Sequence, residues 1–263
     1  MSESRLEPGW TALRASGRKA LIPYLTAGYP TRSASAAALR SAAEVADIIE
    51  VGVPFSDPLA DGPTIQRSTY EALRQGMTLS GTLELIAASE LAPPVVIFSY
   101  LNPILQYGVD RFLRKADELG IAGLLLTDLP AGSDPDLESA VQRSGVDLIR
   151  LIAPTTRPAR LAVALDGAQG FVYLVARLGV TGASSSLATD LQHSVERVRT
   201  ATSLPVAVGF GISTAEQART VGQMADGIVV GSALVEILGR DGVAPARRFL
   251  GLLREALDGR DGG

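Results

Sequence analysis

Two acids eleven residues apart, Glu50 and Asp61, are the residues whose types and setting point most directly to chemistry. Glu50 lies inside the apolar run Ile48-Ile49-Glu50-Val51. Side chains alternate faces along a strand, so Ile48 and Glu50 point one way and Ile49 and Val51 the other. In a parallel sheet both faces are covered, which places the Glu50 carboxyl in apolar surroundings. Burying an unpaired carboxylate costs roughly several kcal/mol, so such a group keeps its proton or finds a partner. A carboxyl with a raised pKa serves as acid and base near neutrality. Asp61 follows across the loop Phe55-Ser56-Asp57-Pro58-Leu59-Ala60-Asp61-Gly62-Pro63, stiffened by Pro54, Pro58 and Pro63. The plainer alternative for Glu50 is a strand-end carboxylate paired with an arginine.

The elements that must position these acids alternate regularly. A helix over 4–15 precedes strands at 20–25, 45–53, 94–99, 121–126, 147–152, 171–175, 205–208 and 226–230. Helices are expected over 32–44, 64–75, 78–90, 109–119, 134–144, 157–165, 190–200, 214–222, 233–238 and 244–257. Strand after helix, eight times over and with no compositional break, predicts parallel pairing and a single (β/α)8 barrel over 1–263. The N-terminal helix is extra and covers one end. The competing fold, an open doubly wound sheet, would call for a glycine fingerprint after the first strand, and Thr26-Ala27-Gly28-Tyr29-Pro30 is not one.

Barrel enzymes act at the C-terminal ends of their strands. The residues there are Tyr24, Glu50, Asp61 on its loop, Tyr100, Asn102, Asp128, Tyr173, Arg177, Phe210 and Ser232. Tyr24, Tyr100, Tyr173 and Phe210 ring the mouth with aromatic surface suited to a flat apolar ligand, although each alone could be core packing. The last three loops carry Gly179-Val180-Thr181-Gly182, Gly209-Phe210-Gly211-Ile212-Ser213 and Gly231-Ser232, the last pair opening a short helix. Glycine lets backbone approach an anion, and a helix N-terminus offers free N–H groups, so these loops read as a phosphate seat.

Composition narrows the chemistry further. With 263 residues, 46% of them hydrophobic, the chain has ample core for a barrel of this kind. A net charge of −4 gives no footprint for nucleic acid. The chain contains no cysteine, which removes thiolate chemistry. Lys19 precedes the first strand and Lys115 lies on a helix, so a Schiff-base aldolase is not expected; His193 is the one histidine, which speaks against a zinc lyase built on clustered histidines. The N-terminus does not read as a signal peptide and no apolar run reaches the roughly 18 residues of a membrane span, so a cytoplasmic protein is expected. Carboxylate acid/base chemistry on a phosphorylated, partly aromatic substrate remains.

The stretches PYLTAGYP, IIEVGVPFSDPLADGPTIQ, YLNPILQYG, LLLTDLP, VYLVARLGVTG, VGFGIS and VVGSALV, in this order and nearly end to end, resemble the tryptophan synthase alpha chains. The resemblance implies a lyase that cleaves indole-3-glycerol phosphate to indole and glyceraldehyde 3-phosphate. It implies Glu50 as the acid/base at the indole C3 and Asp61 as the carboxylate that holds the indole N–H. Gly182, Gly211, Gly231 and Ser232 match the phosphate cradle, and Tyr24, Tyr100, Tyr173 and Phe210 match positions around the indole. Thr181 matches a loop residue that closes the site and orients Asp61, and Asp128 a structural acid beside it. The resemblance further implies no cofactor in this chain. It implies a beta chain that carries pyridoxal phosphate, an alpha2beta2 assembly, and contacts through 54–57 and 102–107, where Phe55, Leu59, Ile104, Leu105 and Tyr107 are apolar. The segment DLPAGSDPDL departs from the family's acidic turn and leaves its helix capping open. Other readings are a self-sufficient indole-releasing lyase, a catalytically weak regulatory partner, and a sugar-phosphate isomerase.

Overall fold

In a computed structural model that describes residues 3–176, 185–209 and 211–259 (backbone only at 185–188), eight parallel strands close into a barrel in sequence order. The strands are β1 (Ala20–Thr26), β2 (Ile49–Gly52), β3 (Val95–Ser99), β4 (Gly123–Leu126), β5 (Asp147–Ile152), β6 (Val172–Val175), β7 (Val206–Gly209) and β8 (Gly227–Val230), with β1 pairing β8 to complete the ring. Around them lie α1 (Glu7–Ala15), α2 (Arg32–Ala43), α3 (Pro63–Arg74), α4 (Leu79–Ser89), α5 (Leu101–Tyr107), α6 (Val109–Glu118), α7 (Pro135–Arg143), α8 (Pro158–Ala164), α9 (Ser185–Arg199), α10 (Ala215–Met224), α11 (Ser232–Asp241) and α12 (Val243–Leu257). This is the (β/α)8 architecture the alternation predicts.

The period-2 pattern sorts the strand residues into two cores. Ile49, Val51, Ile97, Leu124, Leu174 and Val208 face outward and pack under the helices. Ile22, Tyr24, Ile48, Val96, Phe98, Leu125, Ile149, Tyr173 and Val229 face inward and fill the barrel. Helix α1 plugs the bottom: Trp10 belongs to the inner core and meets Phe171 at 5.6 Å between ring centroids. Asp147 holds this plug in place, its Oδ2 accepting from Ser4 Oγ and from the Leu6 N–H.

Local chemistry accounts for most element ends. Thr31, Thr78, Asp134 and Thr214 each accept a backbone N–H at the start of a helix, and Thr214 with Gln217 forms a capping box. Asp134 supplies the cap that the departing segment DLPAGSDPDL left open. The second strand is shorter than the apolar run suggests, four residues rather than 45–53, because β2 finds ladder partners on β3 only over 49–52 and on β1 only over 50–52. Helix α5 is absent from the sequence expectation: its seven residues, with Pro103 inside, are too few to show a period. Helix α11 starts one residue earlier and ends three later than 233–238, and its N-terminus falls directly at Ser232.

Candidate active site

The inward face of β2 carries Glu50 into the top of the barrel, level with Tyr24 of β1 and Val96 of β3. Its carboxyl is fully buried, and neither Oε1 nor Oε2 has a hydrogen-bond partner among the described residues. Buried polar atoms without partners are rare in folded proteins and mark sites where a function or a ligand supplies the missing contact. Burial alone pushes the Glu50 pKa from the usual 4.5 up to about 8. The arginine-paired alternative is thereby set aside: no guanidinium meets this carboxyl among the described residues.

Asp61 lies on the loop between β2 and α3, two residues before Pro63 opens that helix. The Tyr100 hydroxyl donates to Asp61 Oδ2 at 3.1 Å and accepts from the Ala60 N–H at 2.9 Å, so one phenol holds both the loop backbone and the acid. Burial raises the Asp61 pKa to about 6, the Tyr100 bond opposing the rise. Around pH 7 the two acids are therefore in different states, Glu50 mostly protonated and Asp61 mostly ionised. Tyr100 is itself braced by Phe55, 5.1 Å between centroids. The start of α5 just after it is tied to β4, where Asp128 Oδ1 accepts from the Leu101 N–H at 2.7 Å. That bond is the structural part Asp128 plays beside the site.

Between Tyr24, Asp61 and Tyr173 opens a cavity of about 290 Å³. Of the expected residues, Tyr24, Asp61, Tyr173, Gly211, Gly231 and Ser232 line it. Glu50 is not among the lining residues but is the β2 partner of Tyr24, which is, and Tyr100 reaches the cavity only through its bond to Asp61. Tyr24 and Tyr173 enter from different sides of the barrel, and each depends on a glycine in the neighbouring strand. A Cβ on Gly52 would fall 2.1 Å from the Tyr24 hydroxyl, and one on Gly209 would fall 2.1 Å from the Tyr173 hydroxyl. Both phenols are held well above their ordinary pKa, chiefly by burial and then by the charges of Asp61 and Glu50, so they stay neutral. That both acids are felt at both tyrosines locates the carboxyls at one end of the barrel.

The opposite wall comes from the last two strands. Gly211 to Ser213 after β7 and Gly231 to Ala233 at the start of α11 face the cavity. Gly211 takes φ +93°, a left-handed conformation open to glycine. The free N–H groups at the start of α11 give this wall the character of an anion seat. Arg177, Thr181, Gly182 and Phe210 lie outside the described residues.

Several cavity residues were not expected. Phe98, two residues before Tyr100 on the same face of β3, packs edge-on against Tyr24 at 5.2 Å. Its period-2 relation to Tyr100 was the signal for it. Ile65 and Ile212 add apolar wall, and Gln217 and Glu236 border the anion seat. Ile212 belongs to the glycine loop after β7, whereas Ile65, Gln217 and Glu236 come from helices, and only the third dimension brings them here.

Other expectations resolve differently. Ile104 is fully buried in the core and forms no surface patch, because α5 turns that side chain inward. Tyr107 is half-buried under Arg111, whose guanidinium sits 4.4 Å from the ring centroid. Asn102 is exposed, and Leu59 (91%) and Leu105 (47%) do face solvent. Lys19 donates to the Ala225 carbonyl and Lys115 pairs with Glu118, both away from the cavity. His193 is exposed on α9. Among the described residues no group of three or more His, Cys, Asp or Glu is set to hold a metal.

Comparison with known proteins agrees with this geometry. Residues 10–250 match the family model described as tryptophan synthase alpha chain. The chain is similar to the tryptophan synthase alpha chain of Acidiphilium cryptum (strain JF-5), 46% identical over 250 residues, covering 92% of this chain and 91% of that one. It is also similar to that of Phenylobacterium zucineum (strain HLK1), 45% identical over 240 residues, covering 90% and 87%. Among solved structures it is similar to a tryptophan synthase of Mycobacterium tuberculosis, with TM-score 0.90, 42% identity and coverage of 99% and 100%. It is likewise similar to the alpha subunit from Legionella pneumophila, with TM-score 0.89, 32% identity and coverage of 98% and 100%. With a buried acid, a loop acid and an anion seat around one cavity, and with relatives of this identity over nearly its whole length, the chain belongs to the tryptophan synthase alpha chain family.

Proposed function

We propose that this chain cleaves indole-3-glycerol phosphate with Glu50 and Asp61 as its acid/base pair, as a single barrel domain working beside a beta chain. The family is a lyase, and its alpha subunit releases indole and glyceraldehyde 3-phosphate. In our reading the phosphate lies against Gly211, Gly231 and Ser232, and the indole lies between Tyr24, Tyr173 and Phe98, its N–H donating to Asp61. Glu50 gives its proton to the indole C3, and the ring becomes a cationic indolenine whose charge faces the Asp61 carboxylate. Glu50, now ionised, takes the proton of the glycerol hydroxyl next to the ring. As that aldehyde forms, the bond from C3 to the glycerol carbon breaks, its electron pair returns to the ring as neutral indole, and Glu50 is protonated again.

One observation carries this reading: a fully buried carboxyl, both oxygens unpartnered among the described residues and its pKa raised to about 8, paired in register with Tyr24, which lines a cavity bordered by a second acid whose pKa is raised to about 6. An acid with pKa near the working pH is the best compromise between holding and giving up a proton. The surroundings of the two groups set their roles apart.

Indole would pass to a beta chain in an alpha2beta2 assembly, whose pyridoxal phosphate joins it to serine. The exposed Leu59 on the loop after β2 and Leu105 on α5 support a partner surface there. A cytoplasmic location is part of the proposal; no helix of the described residues is long and apolar enough to cross a membrane. The test is indole release from indole-3-glycerol phosphate by the full chain, with a beta chain added and withheld. Turnover in the presence of beta is expected, and its absence in both conditions overturns the proposal.

A further inference from the structure

The wall proposed above to seat the phosphate is made of neutral donors, and one carboxylate stands against it. Arginine and lysine are absent from the described lining residues, whereas Glu236 of α11 borders the same space as Ser213, Gly231 and Ser232. Glu236 lies four residues after Ser232 on one helix. Residues so spaced stack on one face, with Cβ atoms about 5–6 Å apart. Glu236 lies beyond the first turn of α11, so it acts on an anion at this wall by direct charge repulsion. Some of the seat's donors are already engaged: Gln217 Oε1 accepts from the Ser213 N–H at 2.8 Å, from the Ser213 hydroxyl at 3.1 Å and from the Thr214 N–H at 3.2 Å. Glu236 forms no salt bridge among the described residues. Arg240, one turn further along, is close enough to feel its charge but binds Asp241 instead.

We infer that Glu236 is a specificity-determining residue that weakens the grip of this seat on the phosphate of substrate and product. The inference rests on the phosphate placement proposed above and deepens it. A seat built, among the described residues, from N–H and hydroxyl donors favours the phosphate arm, and the carboxylate subtracts from that, so the phosphorylated product leaves readily. Glu236 is exposed and touches no reacting atom, so its effect belongs in KM and in phosphate inhibition rather than in the chemical step.

The test is steady-state indole release by the full chain and its Glu236→Gln and Glu236→Lys variants, with inorganic phosphate and glycerol 3-phosphate as inhibitors. A carboxylate and a phosphate dianion facing one cavity through water repel enough to shift binding by roughly three- to tenfold. Glu236→Gln is therefore expected to lower KM and both inhibition constants by about that factor, with kcat within about twofold and the melting temperature unchanged. Glu236→Lys should lower them further. Added salt should narrow the gap between wild type and Glu236→Gln, since screening weakens the repulsion. Unchanged KM and inhibition constants in both variants, or a fall in kcat with KM constant, overturns the inference. A wild-type chain that cleaves no substrate refutes the functional proposal instead, while phosphate inhibition of wild type with no response to either substitution refutes this inference alone.

Discussion

The two walls of the cavity are built from different material. On the side of β1 to β3 the chemistry resides in side chains: a buried Glu50 without partners, Asp61 fastened to Tyr100, and Tyr24 laid over Gly52. On the side of β7 and β8 it resides in the main chain, in the turn at Gly211 and the first N–H groups of α11. A proton must be given and taken at one atom, and only a titratable side chain with a shifted pKa does that. An anion needs only oriented dipoles, which a helix start supplies whatever its side chains are. Substitutions should therefore be severe on the first wall and mild on the second.

The strongest challenge to that contrast is Glu50→Gln. The change removes the proton donor and leaves the shape, so indole release should fall by about 10⁴-fold or more in kcat. Stability should move the other way. The folded chain keeps a proton on Glu50 that the unfolded chain gives up between pH 4.5 and about 8, so the wild type loses stability as pH rises through that window. The variant lacks this titration and should gain on the order of 5 kcal/mol relative to wild type between pH 4.5 and 8, as read by denaturant unfolding. A near-normal turnover, or a variant whose pH–stability curve parallels wild type, would refute the placement of the acid.

Asp61→Asn comes next, with an expected loss of about 10²–10³-fold in kcat measured by indole release. Asparagine keeps the size and loses the charge that steadies the cationic ring. Tyr100→Phe should cost about tenfold. It removes the bond that lowers the Asp61 pKa and leaves the Ala60 N–H without its acceptor. The acid limb of the kcat/KM profile, set near pH 6 by Asp61, should shift upward, so the deficit is larger at pH 6 than at pH 8. A profile that stays in place would disconnect Tyr100 from the chemistry. The smallest effect is expected from Ser232→Ala, about a threefold rise in KM with kcat unchanged, because the backbone donors of α11 remain. A loss of a hundredfold there would show that a side chain, not the main chain, builds the anion wall.

Much of this was legible in the residues themselves. The alternation of apolar runs and helical stretches determined the barrel, because a period of two and a period of 3.6 leave different marks on a sequence. Ile48-Ile49-Glu50-Val51 alone placed a carboxyl on a buried face, and the glycines after the last strands marked where backbone must come close to something. Short pieces escaped, as with α5, whose seven residues fall below the length at which a period shows, and Ile104, whose side chain the helix turns inward.

What the tertiary structure decided is what stands near what. Glu50 could have met an arginine, and only packing shows that its oxygens have no hydrogen-bond partner among the described residues. Tyr100 and Asp61 are 39 residues apart in the chain and 3.1 Å apart in space, a pairing no local pattern encodes. Glu236 and Phe98 reach the cavity because a helix and a strand distant in sequence converge on the barrel mouth. Periodicity along the chain tells each residue which face it is on. Closure of the barrel tells it which residues share that face, and the pKa of a buried acid is set by those neighbours.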